Sequence, residues 1–292
     1  ERITLERLTV TSMDGNCVDL TGDGHLVREV IASHCGMVGL KLRGRGNRIL
    51  SNVLSHNNTR GFNKWWEAGG AKFVGAGGLA DSEVSGNLVH SNRGDGLWFD
   101  WKNARNRIKD NVVAYNEGMG IHYEASDAAR IDGNLVFGNT QRGIYLPNSS
   151  HSTIEDNLVF ANGLEGVAIV DERRAALNGP PEFVPVGNAV ARNVLAWNGK
   201  AALVLPDPKR DNTSDDNLIV TAGPPRFSLG WGSREAPVQT GLDAWRKFSG
   251  EDLHSTATMK PMPARLADAL AARELRRDWR RELPAPRVPA ER

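Results

Sequence analysis

Cysteine, long apolar runs and an excess of charge of either sign are what this 292-residue sequence has least of. There are two cysteines, Cys17 and Cys35, with neither a CxxC pair nor histidines at zinc-ligand spacing. They fall at different points of successive repeats, so the expectation is two buried, unpaired core thiols that neither establish nor exclude an oxidising compartment. Formal net charge is +1, and acidic and basic residues are interspersed up to the last stretch, so no polybasic footprint for nucleic acid or an anionic membrane is present. No run reaches the roughly 18 to 20 apolar residues of a membrane span. No basic-then-apolar export segment opens the sequence, which reads as soluble. Its first residues, Ile3, Leu5, Leu8 and Val10, already alternate like strand, which leads us to expect that earlier coils and any export signal precede it.

What is abundant is repetition. Asn87-Leu-Val-His-Ser-Asn92, Asn111-Val-Val-Ala-Tyr-Asn116, Asn134-Leu-Val-Phe-Gly-Asn139 and Asn157-Leu-Val-Phe-Ala-Asn162 recur every 23 or 24 residues. Each is followed by a glycine and an alternating run: Gly96-Leu-Trp-Phe, Gly120-Ile-His-Tyr, Gly143-Ile-Tyr-Leu and Gly166-Val-Ala-Ile. The frame extends back through Asn52, with Glu29 in place of asparagine one coil earlier, and forward through Asn193, fading after Asn217. That period, with strand-type alternation and almost no helix signal, predicts a right-handed parallel β-helix, a solenoid with one coil per repeat. Leu97, Ile121, Ile144 and Val167 then point inward, as do Phe99, Tyr123, Leu146 and Ile169, each about 4.8 Å from its equivalent. The asparagines suit bends and should stack into hydrogen-bonded ladders.

Two coils are longer, with 35 residues between Asn52 and Asn87 and 36 between Asn157 and Asn193. The extra residues, roughly 59–69 and 171–184, should form loops that wall one outer strip from two ends, the second ending in Pro180-Pro181. Residues 1–230 are assigned to the solenoid, 231–284 to a helical capping segment and 285–292 to a tail. In the capping segment, a short helix near Trp245 precedes a second from Pro263, with Leu266, Leu270, Leu275 and Trp279 on one stripe up to Pro284.

With the register fixed, the outward residues form two rows. One runs Lys41, Lys72, Trp98, His122, Tyr145, Ala168; the other runs Arg43, Val74, Asp100, Glu124, Pro147, Val170. Asp100 and Glu124 occupy adjacent coils, placing their carboxylates roughly 4 to 7 Å apart. Like charges that close raise one pKa, which suits an acid and a base or nucleophile in glycoside cleavage. The plainer alternative is an exposed pair neutralised by Lys72, Arg105 or another cation. His122 lies within proton-transfer reach of Glu124. Lys72 reads as a base or a clamp on a substrate carboxylate, and Glu67 as a second-tier acid or base on the first loop. Trp98 and Tyr145, with Trp65, Trp66 and Trp101, are flat faces of the kind sugars lie on.

The run Trp66-Glu-Ala-Gly-Gly-Ala-Lys72, with Gly96-Leu-Trp-Phe-Asp100 and Gly120-Ile-His-Tyr-Glu124, resembles bacterial secreted right-handed β-helix proteins of pectate-lyase-like type over roughly residues 1–255. The Asp-Pro-His-Glu run of alginate epimerases and the carboxylate set of polygalacturonases are missing. The resemblance implies export to the cell exterior or surface and a carbohydrate partner. Our first expectation is a secreted glycoside hydrolase needing no cofactor, with Asp100 and Glu124 as its pair, His122 and Lys72 assisting, and Trp98 and Tyr145 holding sugars. The alternatives are a polysaccharide lyase with Lys72 or His122 as base and Ca²⁺ on Asp100 and Glu124, or a non-catalytic carbohydrate-binding or structural solenoid.

Overall fold

A computed structural model of the chain describes residues 2–75, 77–173, 183–230, 238–276 and 278–279. The Pro180-Pro181 part of the second insertion and the 285–292 tail lie outside the described residues. Most strands are only three or four residues long, because each coil must turn three times. An alternating triplet such as Arg107-Ile-Lys109 aims just its central residue at the core. Successive coils stack these triplets into three sheets of nine, eleven and ten strands among the described residues. Except for the terminal Val238–Thr240 strand, pairing is parallel and in register, as in Leu97↔Ile121 and Ile121↔Ile144. The inward residues Leu97, Phe99, Ile121, Tyr123, Ile144, Leu146, Val167 and Ile169 are all fully buried.

The bends are held by the expected ladders. The Asn52 side-chain amide donates to Asn87 Oδ1, Asn87 to Asn111, Asn111 to Asn134 and Asn134 to Asn157, each at 2.9 Å. A second ladder runs from Asn57 through Asn92, Asn116 and Asn139 to Asn162. Burial of these amides leaves no water to satisfy them, so each rung matters. The left-handed backbone falls on the residue before a ladder asparagine, as at Ser51, Asp110 and Asp156. Likewise Val30, not Glu29, occupies the ladder place below Asn52, because the Val30 N–H donates to Asn52 Oδ1 and Glu29 takes the left-handed position.

A second correction concerns the cysteines. Cys17 and Cys35 form a disulfide, with Cα atoms 5.5 Å apart. Being at different points of the repeat does not keep them apart, because the bend that carries Cys35 lies against the start of the Val18–Thr21 strand of the preceding coil, where Cys17 sits.

Helix α1 (Leu242–Ser249) stacks Trp245 on Phe227 at 5.3 Å and closes the C-terminal end of the core. Helix α2 (Ala264–Ala271) lies instead on the outer side of the third sheet. There Leu266, Ala269 and Trp279 cover Phe137 and Phe160. The helix is shorter than the sequence stripe implied, so Leu275 falls beyond it and is exposed. No helix among the described residues is long and apolar enough to cross a membrane.

Candidate active site

The eleven-stranded sheet carries the two outward rows. Its strands Gly69–Phe73, Asp95–Asp100, Ile121–Glu124 and Ile144–Pro147 are neighbours in that order. Gly96 and Gly120 admit the tight turn into this sheet: a Cβ on either would sit 2.4 or 2.5 Å from a core valine methyl, on Val113 and Val136 respectively. After the glycine, alternation takes over. Register pairs Lys72 with Trp98, Trp98 with His122, His122 with Tyr145, and Asp100 with Glu124.

Although this row points out of the solenoid, it is roofed. Lys72, Trp98, His122 and Tyr145 are only 4, 5, 7 and 2 % exposed. The Lys72 ammonium lies 3.3 Å from the Trp98 ring centroid, and the His122 ring stacks on the other face at 5.1 Å. Neither face of Trp98 is free for a sugar. Tyr145 is enclosed too, with the Arg142 guanidinium 4.6 Å over its ring and its hydroxyl donating to Glu172 Oε1 at 2.6 Å.

Both insertions contribute to this enclosure. From the first, the Trp66 carbonyl accepts a hydrogen bond from Lys72, Glu67 pairs with Lys41, and Lys64 reaches the Glu117 carbonyl at 3.3 Å. From the second come Glu172 and Phe183, whose ring lies 4.6 Å from that of Trp101. The tryptophans that do present area to solvent are Trp65, Trp66 and Trp101, at 52, 74 and 43 % exposure. Glu67, held on Lys41, is not brought onto the Asp100–Glu124 pair.

Beneath the roof is a chain of charges. Lys72 Nζ is 3.1 Å from Asp100 Oδ2, so the amine is engaged on three sides. The Trp98 indole N–H donates to Glu124 Oε2 at 2.6 Å, and His122 Nε2 approaches the same oxygen at 3.4 Å without hydrogen-bond alignment. On its other side His122 Nδ1 is 2.7 Å from Asp95 Oδ2. Burial, followed by the Glu124 charge, pushes the Asp100 carboxyl above the usual range against the pull of Lys72. Burial opposes charge on His122, but Glu124 and Asp95 outweigh it and hold the imidazole above its ordinary pKa.

Asp95, Glu172 and Arg142 escape the sequence reading. Asp95 and Arg142 sit just before the strand glycine, where alternation has not begun, and Glu172 arrives from an insertion. The faint signal for Asp95 is an acid directly before that glycine, a feature repeated at Glu165-Gly166. Among the described residues, one group brings three ligand atoms within 4.8 Å of one another: Asp215, Asp216 and His254, on the C-terminal coils. None of the strip residues belongs to it.

The family model described as "Right handed beta helix region" matches residues 1–159 and 79–180. No curated protein matches the sequence. Among solved structures, a mutant of the periplasmic alginate epimerase AlgG is similar with a TM-score of 0.54 and 21 % identity, over 67 % of this chain and 47 % of that one. Dettilon tailspike protein gives 0.51 and 19 %, over 67 % of this chain and 41 % of the other. Pectate lyase Pel9A gives 0.50 and 11 %, over 88 and 70 %. This chain therefore spans less than half the length of the first two. At these identities the likeness is one of fold.

Proposed function

This chain belongs to the right-handed β-helix family, and on that scaffold we propose that it hydrolyses glycosidic bonds of an extracellular polysaccharide. The observation that carries the reading is the in-register pair Asp100↔Glu124. Asp100 is the more accessible of the two, with its side chain 21 % exposed, and its pKa is raised. A carboxyl kept protonated beside a negatively charged partner is the arrangement that gives a glycosidase its acid and its base or nucleophile. Asp100 would protonate the departing glycosidic oxygen, while Glu124, fixed by the Trp98 N–H, would either take the proton of the attacking water or itself attack the anomeric carbon, forming a glycosyl ester that water then hydrolyses. Trp66, Trp65 and Trp101 form the exposed aromatic rim on which sugar rings can rest, with the more enclosed Trp98 and Tyr145 supporting the row beneath.

The disulfide supports an oxidising compartment, where such a polymer would be met. Two structures sharing the fold are named as a pectate lyase and an alginate epimerase, which fits a polysaccharide substrate. Hydrolysis is favoured over elimination because Lys72 is committed to Trp98, Asp100 and the Trp66 carbonyl, and His122 is flanked by two carboxylates. Calcium on Asp100 and Glu124 does not suit these residues, since the Lys72 ammonium lies on Asp100 Oδ2, where it would repel a second cation, and the Trp98 N–H engages Glu124 Oε2.

The test is a screen of acidic and neutral polysaccharides for reducing ends and for the ultraviolet absorbance of unsaturated products. Reducing ends without that absorbance are expected, with Asp100→Asn and Glu124→Gln each lowering kcat by about 10²- to 10⁴-fold. Unsaturated products would establish a lyase, and full activity in both variants would remove the assignment. Binding without turnover would leave a carbohydrate-binding solenoid.

A further inference from the structure

The geometry points to Asp95 as a positioning residue that fixes the orientation and tautomer of His122 and acts on the reaction only through it. Resting on the hydrolase reading for its kinetic consequences, this inference stands on its own contacts. Asp95 is 2 % exposed and uses both oxygens: Oδ2 faces His122 Nδ1 at 2.7 Å, and Oδ1 accepts the Met119 N–H at 2.8 Å. A carboxylate held at both oxygens cannot swing, so it sets the plane of the ring it meets. Being an acceptor, it requires the proton on Nδ1, which leaves Nε2 as the nitrogen turned towards Glu124. Stacking between Trp98 and Tyr145 removes the remaining rotational freedom.

The surrounding backbone accommodates Asp95 specifically. A Cβ on Gly118 would lie 2.0 Å from Asp95 Oδ1, so this glycine leaves the space the carboxylate fills. The residues directly before the strand glycine in the next two coils are Met119 and Arg142, neither of them an acid. Asp95 thus has no acidic neighbour at the same place in either of the next two coils. The charged and titratable groups facing His122 are Asp95 and Asp100 from the preceding strand, Glu124 from its own, Tyr145 from the following strand and Glu172 from the second insertion. Only Asp95 makes an aligned hydrogen bond to the ring.

Nitrogen-15 NMR of the full chain supplies a readout independent of turnover. A His122 Nδ1 proton, assigned by its disappearance in His122→Gln, should resonate far downfield and exchange slowly. Asp95→Asn should abolish or displace it. On a polysaccharide that the protein cleaves, Asp95→Asn should lower kcat about 10²-fold with KM near the wild-type value. Added to His122→Gln, it should cause no further loss, because the two act as one unit. A resonance unchanged in Asp95→Asn, or multiplicative losses in the double variant, would overturn the proposal. Should Asp95→Asn fail to fold, the wild-type spectrum still decides, since an unbonded or absent Nδ1 proton contradicts the pairing. Should no polymer be cleaved, the hydrolase reading fails while the spectrum continues to judge the Asp95–His122 pair.

Discussion

Trp98 illustrates how far side-chain identity and side-chain availability can part. Alternation places it outward, and Asp100 opposite Glu124, so both were legible from the spacing of the repeat. That Trp98 is covered was not legible, because the atoms that cover it belong to Lys72 of the previous coil and His122 of the next. Its contribution to the site is an N–H donated to Glu124. Trp98→Phe keeps most of the stacked ring and deletes that donor. A hydrogen bond to a charged group is worth about 1.5–3 kcal/mol, so kcat should fall roughly ten- to a hundredfold while KM barely changes. Trp66→Ala should do the reverse, raising KM with kcat preserved, because Trp66 is the most exposed ring on the rim. Steady-state kinetics of the two variants on one polymer checks both, and equal effects on KM would mean that Trp98 does meet the sugar.

At the scale of elements, the C-terminal segment covers the outside of the third sheet beside a column of histidines. His34 stacks on His56 at 4.8 Å, and His90 meets His56 edge-on at 5.2 Å. Arg273, just past helix α2, lies over the Tyr115 ring at 5.5 Å, while the Tyr115 hydroxyl donates to the Glu274 carbonyl. Burial, with the added charges of His56 and Arg273, lowers the His90 pKa from 6.5 to about 4. Because the folded state then binds fewer protons than the unfolded one, His90 costs no stability above the unfolded pKa. Stability is lost as pH falls from about 6.5 towards about 4. Denaturant midpoints measured across this window should decline, and His90→Gln should flatten the decline. An unchanged slope would exclude His90 as its source. The apolar stripe of the helix was legible in Leu266 and Leu270, but its end at Ala271 was not, since the apolar spacing runs on to Leu275 without a break.

The molecule as a whole is stabilised coil upon coil, each repeat contacting only its neighbours, so a local constraint should act locally. The period of the asparagines revealed this architecture because the rungs from Asn52 to Asn157 repeat the same residue at the same bend. The Cys17–Cys35 bond was hidden for the opposite reason, since it joins a bend to the start of a strand in the neighbouring coil once and never recurs among the described residues. Closing a separation of 18 residues, it should contribute roughly 3 kcal/mol by restricting the unfolded chain. In a solenoid that contribution belongs to the coils it joins. Replacing both cysteines by serine should therefore speed amide exchange in the Val18–Thr21 and Val38–Arg45 strands. Exchange in Ile121–Glu124 and Ile144–Pro147 should remain slow, and turnover should be unaffected because Asp100 and Glu124 lie on the second and third strands beyond Val38–Arg45. Hydrogen exchange read by mass spectrometry separates the alternatives. A loss of protection spreading evenly to Ile144–Pro147 would mean that the solenoid unfolds as one cooperative unit, with the disulfide as a support for the site itself.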